Sequence, residues 1–169
     1  ELETVCWVLD ICNAKVNDSC GFHVHMDAAG FNLDTWKNLT LTYKHLEHLI
    51  DAFMPRTRRN NTYCKTLSGV SDERIKSVRT IDGLREVFNN DRYHKVNFEA
   101  YSRHRTVEFR QHSGTTNFTK MENWIRFLNG LITFAKRSSL PSRMTLEELP
   151  FLDGKQKLFF KLRTKKLAV

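Results

Sequence analysis

At 169 residues, 40% of them hydrophobic, the chain is long enough for one core and too short for several, so residues 1–169 are expected to form a single domain. No apolar run approaches the roughly 20 residues of a membrane span, which removes integral membrane functions and leaves no membrane among the expected partners. A formal charge of +8 favours polyanions such as nucleic acid or nucleotides as partners.

Leu2 to Ala14 carries Leu2, Val5, Cys6, Leu9 and Cys12 at helical spacing and reads as an amphipathic helix. The stretch CGFHVHMD, Cys20 to Asp27, alternates instead. In a strand it sets Cys20, Phe22, Val24 and Met26 on one face and Gly21, His23, His25 and Asp27 on the other. Asp27 caps the turn before Gly30. Trp36, Leu39, Tyr43, Leu46, Ile50 and Phe53 then keep helical period until Pro55. His45 and His48 fall on one face of that helix, at its wet edge. Residues 56–79 read as a loop with a short helix, and Thr80 caps a helix over TIDGLREVF. HKVNFEA and RTVEFRQH alternate cleanly, with YSRH between them as a hairpin turn. TKME, Thr119 to Glu122, is a capping box that opens a helix to about Lys136, with the stripe Trp124, Ile125, Leu128, Leu131 and Ile132. TLEE, Thr145 to Glu148, repeats that signal, and residues 138–169 form a basic C-terminal extension of the same domain.

These elements predict an α+β fold: a small antiparallel sheet with helices packed on its apolar face and the other face open. Three strands then bring His23 and His25, Asn97 and Glu99, and Glu108 and Arg110 to one surface. A solvated sheet face more often carries Lys, Thr and Ser, so this set reads as an active site. His23, His25, Glu108 and Arg110 are the candidate catalytic residues. Lys95, Asn97, Glu99, Arg105 and His112 are candidates for substrate binding, and Arg56, Arg58 and Arg59 for phosphate contacts. Ser113, Gly114 and Thr115 offer backbone N–H groups near the next helix start. The four cysteines, Cys6, Cys12, Cys20 and Cys64, show no CxxC spacing. Reduced thiols and a cytoplasmic location are expected, and the spacing matches no closed zinc pattern.

CGFHVHMD, RRNNTYCK, YHKVNFEAY, RTVEFRQHSGTTN and NWIRFLNGLITFA together resemble the amidoligase family over about residues 1–137. That family has a glutamine-synthetase-like catalytic domain and occurs in phages, plasmids and bacterial operons. The resemblance implies that ATP phosphorylates a carboxylate and that an amine attacks the acyl phosphate, with divalent Mg or Mn ions neutralising phosphate charge. It makes His23 and Glu108 metal ligands and brings His25 to nucleotide phosphates. Arg110 meets the transferred phosphoryl group or the substrate carboxylate, with Arg105 assisting. Family members open with a G-x-E-x-E strand that supplies further metal ligands. Nothing of that type precedes Glu1, and the chain opens in the helix that should follow it. Either that segment lies outside this sequence, or the chain is a shortened relative.

Three functions follow from these residues. The first is a mobile-element protein repurposed to act on nucleic acid, cleaving RNA with the His/Glu/Arg site. A CRISPR guide RNA or a host protein–RNA complex is then the partner in an anti-CRISPR role, with Tyr63, Tyr101, Phe159 and Phe160 stacking on bases. The second is a true ATP- and Mg-dependent amidoligase. The third is a non-catalytic basic binding module.

Overall fold

The computed structural model describes residues 1–168. Its elements, in chain order, are α1 (Leu2–Ile11), β1 (Gly21–Asp27), α2 (Leu33–Ala52), a 3-10 turn at Arg56–Arg58, α3 (Asp72–Ser77), α4 (Ile81–Val87), β2 (Val96–Asn97), α5 (Ala100–His104), β3 (Thr106–Ser113), α6 (Phe118–Ala135) and α7 (Gly154–Leu167). The fold is α+β, as the alternation predicts. One antiparallel sheet has the order β1-β3-β2.

The centre of that sheet is β3, and its pairing sets the geometry of the open face. His25 of β1 lies opposite Glu108 on one side, and Asn97 of β2 lies opposite Glu108 on the other. The register slips between Phe22 and Val24, which pair with His112 and Phe109. Two residues of β3, Arg110 and Gln111, therefore stand against His23 alone. Such a bulge reverses the parity of the strand beyond it. This overturns the expectation for His112. Strict alternation puts it on the Glu108 face, but the bulge turns it toward the helices, where it is 3% exposed. It packs on Phe22 and Trp124 with ring centroids 5.7 Å away in each case. Burial away from water holds its imidazole down to about 4, against an opposing hydrogen bond to the Ser113 carbonyl.

The helices cover the apolar face. Asn32 caps α2 by accepting from the Thr35 amide, and the helix lays Tyr43 over Phe109, centroids 5.7 Å apart. Trp124 and Phe127 of α6 stack at 5.4 Å. The cap of α6 is Asn117, whose side chain accepts from the Lys120 amide. The helix thus starts before the TKME box that the sequence suggests. TLEE does make the capping contact, with Thr145 donating to Glu148. It closes only a turn, because Pro150 follows. The true last helix, α7, opens with a capping box of Asp153 and Gln156. Phe160 anchors it against Phe53 at 4.4 Å, a burial worth about 2 kcal/mol.

The predicted hairpin holds in its pairing and fails in its connection. Val96 pairs with Phe109, but YSRH belongs to α5 and is no tight turn. AYSRH contains none of the Gly, Asn, Asp or Pro residues that tight turns require. Arg105 ends α5 in the left-handed region, φ 56°.

Candidate active site

The open face of the sheet floors a cavity of about 610 Å³. His23 and His25, Asn97, and Glu108 and Arg110 reach it from the three strands, and Glu99 reaches it from the turn after β2. The other wall comes from α4, α5 and the loop before β2, which contribute Arg85, Arg92, Arg103 and His104.

Glu108 is the hub. Its Oε1 accepts from Arg110 Nη1 at 2.9 Å and lies 2.9 Å from His23 Nδ1. Its Oε2 accepts from Asn97 Nδ2 at 2.5 Å. Burial pushes this carboxyl up, but the hydrogen bonds from His23 and Asn97 and the charge of Arg110 outweigh it and hold it at about 2. Glu108 is therefore ionised throughout the neutral range. Asn97 also accepts from the Glu99 amide at 2.9 Å, which ties the turn after β2 to the hub. Arg110 lies over the Tyr93 ring, 5.6 Å from its centroid.

The two histidines differ. His23 folds back over Gly21, where an added Cβ would sit 2.7 Å from its Nε2. Only glycine leaves room for this rotamer. His25 has Nδ1 2.8 Å from Thr106 Oγ1, and its Nε2 is 3.8 Å from Glu108 Oε1. Its side chain is 43% exposed, so it is the group of the cluster most open to a substrate. His104 meets it edge to face at 5.8 Å.

Several expected binding residues lie elsewhere. Lys95 is 1% exposed and points away from the cavity, 2.7 Å from Asp51 and 3.6 Å from Glu47 of α2. The strand of β2 is only Val96–Asn97, so alternation does not extend to residue 95. Arg58 is buried and donates to the carbonyls of Arg110 and Gln111, bracing the bulge from below. Arg59 donates to the Met54 carbonyl at 3.1 Å. Of that loop, Arg56 is exposed, but it does not line the cavity. Arg105 lies over Tyr101 at 4.7 Å, outside the cavity. His112 is in the core, as described. Glu99 lines the cavity but is held by both Arg85 Nε, at 2.9 Å, and Arg85 Nη2.

Sequence reasoning missed Arg85, Arg92, Arg103 and His104. The absence of turn formers in AYSRH was the available signal for α5. Arg85 and Arg92 come to the cavity only through packing, and no local pattern marks them.

A family model described as "Putative amidoligase enzyme" matches residues 1–132. The chain belongs to this amidoligase family. Comparison with curated proteins and with solved structures finds no match. Membership suggests the use of ATP and a divalent metal. Arg92, Arg103 and Arg110 suit phosphate or carboxylate oxygens, whereas Arg85 is engaged by Glu99 and Asp82. Among the described residues, no group of three or more His, Cys, Asp or Glu side chains is placed to hold a metal ion. Both oxygens of Glu108 and both of Glu99 already accept from nitrogen donors. His23 and Glu108, expected as metal ligands, lie side by side, with His23 Nδ1 2.9 Å from Glu108 Oε1 and the Glu108 carboxylate already accepting from Arg110 and Asn97.

Proposed function

We propose that the sheet-face cavity binds the anionic groups of a carboxylate–amine ligation that consumes ATP. One observation carries this reading: the Glu108–Arg110–His23 cluster, with His25 beside it, floors a cavity whose opposite wall is arginine and histidine. In such a ligation the γ-phosphoryl group passes from ATP to a carboxylate oxygen and ADP leaves. The amine then attacks the acyl carbon, loses a proton, and inorganic phosphate departs.

The roles follow from position. Arg110 is held by Glu108 and meets the transferring group, where a fixed guanidinium stabilises charge as it develops. Arg92 and Arg103 gather the remaining negative charge. In the tautomer that directs Nδ1–H at Thr106 Oγ1, 2.8 Å away, His25 keeps Nε2 as the base for the attacking amine. The imidazolium that forms faces the Glu108 carboxylate. His23 and Asn97 position Glu108.

Two groups of the RNA-cleaving reading are engaged elsewhere: Arg58 is buried and donates to the Arg110 and Gln111 carbonyls, and Phe160 is core, 2% exposed. That reading keeps the exposed Arg56 and Tyr63 and the same His23, His25, Glu108 and Arg110 cluster. The test is ADP release from ATP and Mg²⁺ with a panel of carboxylates and amines, beside His25→Ala and Arg110→Ala. Amine-dependent ADP release that both variants abolish supports the ligase. Discrete fragments from a structured RNA, lost in His25→Ala and formed without ATP, would overturn it.

A further inference from the structure

A second cavity, of about 530 Å³, lies where the end of α2, the turn at 143–147 and α7 meet. It shares no lining residue with the sheet-face cavity. Its volume is that of ordinary small-molecule sites. Leu49, Ala52, Phe53, Met144 and Leu146 make the apolar part of its lining. Residues 143–165 lie outside the stretch that matches the amidoligase family, so the site is built by this chain's own C-terminal segment on a family helix.

Charge selects the occupant. Arg143, Lys161 and Lys165 stand among the lining residues against one carboxylate, Glu147. Lys161 neutralises Glu147 at 3.2 Å. Arg143 and Lys165 pair with no carboxylate among the described residues. Both are exposed, so their guanidinium and ammonium groups are free to receive an anion. An apolar hollow with unpaired cations beside it fits an amphipathic acid better than a neutral or cationic molecule.

We propose that this cavity binds a small apolar carboxylate, its hydrocarbon on Leu49, Phe53, Met144 and Leu146 and its carboxylate at Arg143 and Lys165. The experiment is isothermal titration of the full chain with decanoate, acetate and decanol, repeated on R143E/K165E and on Leu146→Trp. Both reversed positions are on the surface, so that variant keeps the fold. Decanoate should bind one to one and acetate should not bind. Charge reversal should weaken decanoate about tenfold or more while leaving decanol unchanged. Leu146→Trp, which fills the hollow, should abolish decanoate binding, with the melting temperature as a check that it folds. Three results would each overturn the proposal. One is no decanoate binding by the wild-type chain. Another is binding that R143E/K165E leaves unaltered or that decanol equals. The last is a dimer in light scattering that Leu146→Trp disrupts, which would make the hollow an interface between two copies.

Discussion

Glu108 accepts from Arg110, His23 and Asn97 at once, so Glu108→Gln leaves three donors facing an amide that can satisfy fewer of them. The expected cost is about 1–3 kcal/mol in urea unfolding, because buried donors lose their acceptor. His25→Ala should behave in the opposite way. Its side chain is 43% exposed, so stability should change by no more than about 0.5 kcal/mol. ADP release should nevertheless fall roughly 100-fold or more, the scale of a lost general base. Measuring unfolding and turnover on both variants separates the positioning role from the catalytic one. Gly21→Ala tests the cradle under His23. It should displace that ring, visible as a changed histidine NMR signal, while β1 stays paired.

At the scale of elements, α2 does more than cover the sheet. Lys95 reaches from β2 to Asp51 and Glu47 of α2, and Gln111 of β3 donates to the same Asp51. This buried polar seam locks helix to sheet from behind the site. Lys95→Met leaves Asp51 with Gln111 as its donor and Glu47 with Thr66 and the Leu67 amide, and should cost about 1–3 kcal/mol by chemical denaturation. The cap of α7 is worth less. Asp153→Ala should cost about 1 kcal/mol, and Phe160, which holds the helix to Phe53, is the stronger tie.

For the whole molecule, His112 and Glu108 carry large shifts in the acid range, on top of smaller downward shifts of Asp72 and Asp91, and the windows of the first two adjoin. The His112 imidazole ordinarily titrates at 6.5 and is held at about 4 in the fold. A folded pKa below the unfolded one means the contribution is complete above 6.5 and is lost as pH falls through 4. Glu108 ordinarily titrates at 4.5 and is held at about 2. Its contribution is complete above 4.5 and is lost on the way to 2. Urea midpoints measured from pH 7 downward should therefore fall in two stages. His112→Phe, which keeps a ring beside Trp124 and Phe22, should flatten the upper stage and leave the lower one.

Residue identity and spacing alone determined the α+β class, the β1 alternation, the α2 stripe and the pairing of β2 with β3. Each of these rests on a periodicity of two or of 3.6, which the chain writes locally. The same alternation placed His23, His25, Asn97, Glu108 and Arg110 on one face. The limit was the bulge opposite His23, because a single inserted residue changes parity without leaving a mark in the pattern. That is why His112 is in the core and why Arg58 braces β3 from below. Local pattern was equally silent on the short length of β2, which turns Lys95 inward. Tertiary structure alone decided which charges were already spent on one another. Glu99 is held by Arg85 and Lys95 by Asp51, while Arg92 and Arg103 line the cavity without an ion pair among the described residues. Distances between residues far apart in the chain are set by packing, and packing is not written in any one stretch.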